Sequence, residues 1–207
     1  MTENLQQGTD AWLLARIGFC SASRISDVVA KTKTGYSASR ENYKAQLVAE
    51  ILTGTPQGAD LSNNAAVQWG VEKEPEARAH YEVSRGVMVQ ECGFFIHPTI
   101  ERSGASPDGL IGEDGLIEIK CPNTATHIEY LRTKKPPKKY ADQMAWQMAC
   151  TGRKWCDFVS YDPRLPERLQ MLVVRIERDD AYIAELEAEV VKFLAEVKAI
   201  VDELSKE

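Results

Sequence analysis

The sequence predicts an α/β (α+β) fold in which helices flank a central mixed β-sheet. Three observations carry this. Helix-period apolar patterns fill much of residues 23–85, three strand-like runs follow between 87 and 121, and a helix, two strands and a long helix complete the order. Taken in order, Ser23 to about Ala30 reads as a short helix with Ser21 or Ser23 as its cap. Residues 40–53 place Tyr43, Leu47, Ile51 and Leu52 on one face, and Gly54-Thr55-Pro56-Gln57-Gly58 breaks that helix. A third helix covers 63–85 and ends before Gly86. Val87–Ile96 is rich in Val and Phe and reads as a strand. Ser103–Leu110 reads as a second strand, leading into a Gly112-Glu113-Asp114-Gly115 turn. Leu116–Cys121 alternates apolar and polar residues and stops at Pro122.

After a basic loop at Lys134–Lys139, residues 140–151 read as a helix ending near Gly152. Trp155–Tyr161 and Leu169–Glu177 read as strands. Asp179 then caps a long amphipathic helix at about 179–206. Its apolar set (Ile183, Leu186, Val190, Phe193, Val197, Ile200, Leu204) advances in steps of three and four. The expectation is a helix lying on its own sheet, with self-association through that face as the sharper alternative.

Composition narrows the class. The 207 residues suit one well-cored domain spanning 1–207, and 43% hydrophobic with 27% charged residues excludes a disordered or fibrous chain. No apolar run approaches the roughly 20 residues needed to span a bilayer, so no membrane association is expected. The polar Met1-Thr2-Glu3-Asn4 start does not read as a leader, so a cytoplasmic location is expected. Cys20, Cys92, Cys121, Cys150 and Cys156 are scattered singly and read as small buried hydrophobes. His80, His97 and His127 lack metal-ligand spacing and read as structural or surface residues. The net charge of −6 resides in residues 177–207, which hold ten acids and four bases; the remainder is neutral, and 132–154 is locally basic. An acidic total therefore leaves a nucleic-acid ligand open.

The chemistry concentrates in Ser106-Pro107-Asp108-Gly109-Leu110 and Glu118-Ile119-Lys120. Glu118 and Lys120 are two apart in a strand and share a face. A hairpin return brings Asp108 beside them, so that two carboxylates and an ammonium converge among apolar neighbours. Like charges this close resist ionisation unless a cation sits between them. Hard oxygen ligands suit Mg²⁺ or Mn²⁺. Lys120 can position or deprotonate a water, or hold a scissile phosphate. These are the parts of metal-assisted phosphodiester hydrolysis. The bland alternative is a turn aspartate and an exposed Glu/Lys pair on an edge strand.

Pro107-Asp108 with Glu118-x-Lys120 resembles the PD-(D/E)xK nuclease signature, and the wider pattern resembles the phage lambda exonuclease family of viral recombination nucleases. The resemblance runs through Gln7-Gly8, Ala11-Trp12, Arg16, Gly18, Ser21-Ala22-Ser23, Trp69-Gly70, Glu74, Ala77-Arg78 and Ser106–Leu110. It continues through Glu118–Pro122, Tyr140, Gln143 and Tyr161-Asp162-Pro163-Arg164, from about Gln7 to Arg178. It implies a restriction-endonuclease-like core and two Mg²⁺ ions, with Asp108 bridging, Glu118 and the Ile119 carbonyl completing one metal, and Glu74 supporting the site. Lys120 matches the water-activating lysine, and Gln143 a glutamine that orients it or the substrate. Arg16, Ser21 and Ser23 match a 5′-phosphate pocket, with Lys33 at the position of a further cation. Trp12 is expected to pack in the core, and Val67 is the nearest match to a side chain that relatives insert into the duplex. The implied function is 5′-to-3′ digestion of double-stranded DNA ends to mononucleotides by a homotrimeric ring. A 3′ single strand is left for a single-strand annealing protein, in a bacterial host cytosol and encoded by a phage or prophage. Two alternatives stay open: a PD-(D/E)xK endonuclease, disfavoured by Arg16-Ser21-Ser23, and a non-catalytic DNA-end clamp, disfavoured by the intact Asp108, Glu118 and Lys120.

Overall fold

The computed structural model describes residues 5–57 and 63–206; Met1–Asn4 and Gly58, on which two of the readings above draw, lie outside the described residues. The elements in chain order are α1 (Asp10–Ala15), β1 (Cys20–Ser21), α2 (Ile25–Val29), β2 (Lys31–Thr32), β3 (Gly35–Tyr36), α3 (Ala38–Thr53) and α4 (Ala65–Arg85). There follow β4 (Val89–Gln90), β5 (Phe95–Ile96), β6 (Ser103–Ala105), β7 (Gly109–Ile111), β8 (Gly115–Lys120), α5 (Thr124–Thr133), α6 (Lys138–Thr151), β9 (Trp155–Tyr161), β10 (Met171–Glu177) and α7 (Asp180–Leu204). Among the described residues no helix is long and apolar enough to cross a membrane.

The main sheet has the order β10-β9-β8-β7-β4. Only β8 and β9 pair in parallel; the other three pairings are antiparallel, so the expected mixed sheet is present. Alternation along β8 sends its side chains to two different layers. Ile117 and Ile119, with Val159 of β9, pack on Ala77 and Tyr81 of α4. Leu116, with Cys156 and Phe158, packs on Met144, Ala145 and Met148 of α6, with α2, α3 and α7 behind. Glu118 and Lys120 continue the Leu116 face and therefore look toward α6.

Two expected strands are each split. Val87–Ile96 yields β4 in the main sheet and β5 in a second sheet of order β1-β6-β5, and Ser103–Leu110 yields β6 in the second and β7 in the main sheet. Pro107 carries no N–H and cannot extend a ladder, so the chain changes sheet at Ser106-Pro107-Asp108. Gly109, where β7 begins, has no room for a side chain unless a neighbour shifts: a Cβ there would lie 2.2 Å from Val89 Cγ1 on β4.

The terminal helix is also corrected. Asp179 caps it as expected, accepting from Tyr182 N at 3.0 Å. Its buried face (Ile183, Leu186, Val190, Phe193, Val197) packs against α2, α3 and α6 rather than on the sheet, and Phe193 stacks on Tyr43 of α3 with centroids 5.4 Å apart. Each of these large side chains contributes about 1.5–3 kcal/mol on burial. Several of its acids are consumed internally. Glu196 pairs with Arg40 and Lys44, each at 3.0 Å, and Glu189 pairs with Lys31 at 2.6 Å. His127 is a satisfied core residue, with its ring nitrogens 2.6 Å from Ser160 Oγ and 2.8 Å from the Leu169 carbonyl.

Candidate active site

The antiparallel pairing of β7 with β8 opposes Gly109 to Ile117. Continued one residue, that register sets Asp108 opposite Glu118, and its carboxylate reaches one residue further along β8, where Ile119 N donates to Asp108 Oδ2 at 2.7 Å. In a strand the N–H and C=O of one residue point to the same side. The Ile119 carbonyl thus also faces the gap that β7 leaves at Asp108. Lys120 Nζ lies 3.9 Å from Asp108 Oδ2 and in direct contact with Glu118 Oε1. Glu118 is fully buried. Two amides from α6 hold it: Gln143 Nε2 donates to Oε1 at 2.7 Å and Gln147 Nε2 to Oε2 at 2.6 Å. Asp108, Glu118, Lys120 and Gln143 are thus brought together as the sequence suggested. Gln147 was missed, although two glutamines four apart on one helix face were a readable signal.

The electrostatics match a site short of positive charge. Burial pushes the Asp108 carboxyl up to about 8, and the charges of Glu118 and Glu74 add to the rise while Lys120 opposes it. Burial alone would lower Lys120, but Glu118 and Asp108 outweigh it and hold the lysine above its ordinary range, so its ammonium keeps its proton. Glu74 reaches this cluster from α4, on the opposite face of the sheet. Its side chain is turned to Arg78 Nη2 at 2.8 Å, and Arg78 also meets Glu91. Among the described residues no three acidic, histidine or cysteine side chains close into a metal cage.

A second site lies beside the first. A cavity of about 250 Å³ is lined by Arg16, Ser21, Ser23, Arg24, Tyr43 and Gln46, among others. Burial pulls Arg16 below its ordinary pKa, with Tyr43 and Glu50 opposing, and its Nε is buried without a partner. Ser21 Oγ and Ser23 Oγ are 3.3 Å apart. A desolvated guanidinium beside hydroxyls is an anion site. Arg24, not singled out from the sequence, joins the wall, tied to Asp27 at 2.6 Å and to Gln46 at 3.0 Å. Lys33 is exposed on the β2–β3 hairpin and does not line this cavity.

Trp12 links the two sites and is not a core residue. Half-buried, it stacks under the Arg16 guanidinium at 3.9 Å, and its Nε1 donates to Ser106 Oγ at 3.1 Å. Gln7 Nε2 donates to the Pro107 carbonyl at 2.7 Å and to the Cys92 carbonyl at 3.0 Å. The N-terminal segment therefore clamps the loop that carries Asp108. Val67 is exposed on the first turn of α4.

A family model described as the YqaJ-like viral recombinase domain matches residues 11–154. The chain belongs to that family. Its structure is similar to the crystal structure of an alkaline exonuclease, LHK-Exo, from Laribacter hongkongensis, with 55% identity and a TM-score of 0.90 over 96% of this chain and 97% of that one. The same relative in complex with dAMP matches equally well. A phage-related exonuclease from Haemophilus somnus 129PT shares the fold at a TM-score of 0.73 and 16% identity, over 90% of this chain and 96% of that one. No curated protein sequence matches. The nuclease reading of the sequence holds at the level of the family: this member is an exonuclease of the viral recombinase type.

Proposed function

We propose that the protein digests double-stranded DNA ends 5′ to 3′ in a Mg²⁺-dependent reaction, releasing mononucleotides and leaving a 3′-ended strand for annealing-type recombination. One observation carries this reading. The cationic pocket at Arg16 is joined through Trp12 and Ser106 to the loop bearing Asp108, so a terminal phosphate and a phosphodiester near it meet the two sites together. The complex of the 55%-identical relative with dAMP accords with a mononucleotide product.

The donor set fits a hard divalent cation. Asp108 and Glu118 are oxygen ligands, the Ile119 carbonyl faces the same gap, and the raised Asp108 carboxyl marks missing positive charge. Asp108, Glu118 and Ile119 would hold Mg²⁺, with Mn²⁺ able to replace it. Two ions, as the family resemblance implies, would engage Glu74 as well. When bound, such ions supply Lewis acidity at the scissile phosphate and a more acidic water.

The chain's own residues do the rest. Arg16, with Ser21 and Ser23, binds the 5′-phosphate and sets which strand enters. The Trp12–Ser106 bond fixes the distance from that phosphate to the cleaved bond. Lys120 holds its proton at Nζ and orients the attacking water or the scissile phosphate. Gln143 keeps the near oxygen of Glu118 in place. One 23.1 kDa chain cannot encircle about 20 Å of DNA and keep a compact core, so several copies close into a ring around the duplex, three as the family resemblance implies. The partner on the exposed strand is a single-strand annealing protein. Incubation with Mg²⁺ and a linear duplex phosphorylated at one 5′ end tests the reading. Digestion from that end alone supports it, and digestion indifferent to the phosphate refutes it.

A further inference from the structure

Glu118 accepts from two α6 amides that are not equivalent. Gln143 is partly exposed and shares Oε1 with the Lys120 ammonium. Gln147 is fully buried and approaches the other oxygen, Oε2, at 2.6 Å. The far end of the Gln147 amide is fixed too: its Oε1 accepts from Cys156 Sγ at 3.9 Å, and Cys156 is fully buried on β9. With a thiol donor on its oxygen and a carboxylate before its nitrogen, the amide has one satisfied orientation. A chain of contacts thus runs from Cys156 through Gln147 and Glu118 to Lys120 and Asp108, from the core to the reactive edge.

A carboxylate in a buried pocket needs donors on both oxygens. Gln143 and Lys120 occupy the oxygen nearer the site edge, where an incoming cation competes for it. Gln147 holds the oxygen that faces the core, where nothing competes. We propose that Gln147 is a positioning residue that fixes the rotamer of Glu118 and thereby sets metal affinity at the site. This rests on the reading of Glu118 as a metal ligand. Loss of an outer partner of a metal ligand costs 10- to 100-fold in affinity.

The test uses Gln147→Met, which keeps the side-chain length and removes the donor, alongside the wild type and Gln143→Met. Free Mn²⁺ is counted by electron paramagnetic resonance as protein is titrated, and melting temperature is measured on the same samples. The expected result is Mn²⁺ binding weakened 10- to 100-fold by Gln147→Met, with kcat at saturating Mg²⁺ within about threefold of wild type. Native Mn²⁺ affinity in Gln147→Met, whatever its melting temperature, would overturn the proposal and leave Gln147 a packing residue. If Gln147→Met does not fold, Gln147→Asn, which draws the donor back by one methylene, takes its place with the same two outcomes. A wild-type protein that binds no Mn²⁺ would instead overturn the metal reading of Glu118, and this proposal with it.

Discussion

Arg16→Ala should erase most of the preference for a phosphorylated 5′ end. The guanidinium is stacked 3.9 Å over Trp12, pulled below its ordinary pKa by burial, and leaves Nε without a partner in the protein. An anion in the cavity would satisfy it. A hydrogen bond to a charged group contributes about 1.5–3 kcal/mol, and the buried setting limits screening. Loss of the contact should therefore cost about 2–3 kcal/mol, roughly 30- to 150-fold in selectivity. The assay compares initial rates on matched duplexes whose single accessible 5′ end carries phosphate or hydroxyl. Rates on the phosphate end should fall toward those on the hydroxyl end, which should change little. Arg16→Lys keeps the charge but loses the planar fork and its stack on Trp12, so it should fall between. Equal slowing on both ends, or a lowered melting temperature that accounts for the loss, would show that Arg16 is structural.

Lys120→Ala and Asp108→Ala should lose cleavage by several orders of magnitude while the protein stays folded by circular dichroism. Because the folded Asp108 carboxyl titrates at about 8 and the unfolded one near 4, the folded state holds the extra proton between those values. The metal-free protein should lose stability as pH rises across about 4 to 8, and Asp108→Asn should flatten that fall in melting temperature. Asp162 behaves oppositely. Burial pushes it up, but Arg164 and Thr124 outweigh this and hold it at about 2. Its contribution of about 2 kcal/mol should be present above pH 4 and disappear toward pH 2, and Asp162→Asn should abolish that acid limb. Gly109→Ala should cost about 1–3 kcal/mol by denaturant titration, because its Cβ meets Val89 at 2.2 Å, and Val89→Ala should restore part of it.

The legible parts of the fold were those with strong periodicity. β9 matches its reading residue for residue, and β8 and the terminal helix lie within one or two residues of theirs. The missed helices gave little signal. α1 buries no residue and α5 buries only His127 and Tyr130, so neither shows an apolar stripe; only their caps, Thr9 and Asn123, marked them. The split strands were unreadable because strands of two or three residues carry almost no alternation, and only Pro107 hinted at the change of sheet. In the site, the Asp108–Glu118–Lys120 convergence followed from strand parity and a hairpin. Trp12 as a bridge, Arg24 in the pocket wall and Lys33 outside it depend on how distant segments pack, which local pattern does not encode.

In the proposed reaction the acidic cluster at Asp108 cleaves at a distance set from a 5′-phosphate held by Arg16. The most direct measurement follows a duplex with one accessible end and distinguishable labels on the 5′- and 3′-terminal nucleotides of the same strand, with Mg²⁺, before a tenth of the substrate is consumed. The 5′ label should appear first, as a mononucleotide, while the complementary strand stays intact. Early release of the 3′ label, or of internal fragments, would contradict the proposed reaction.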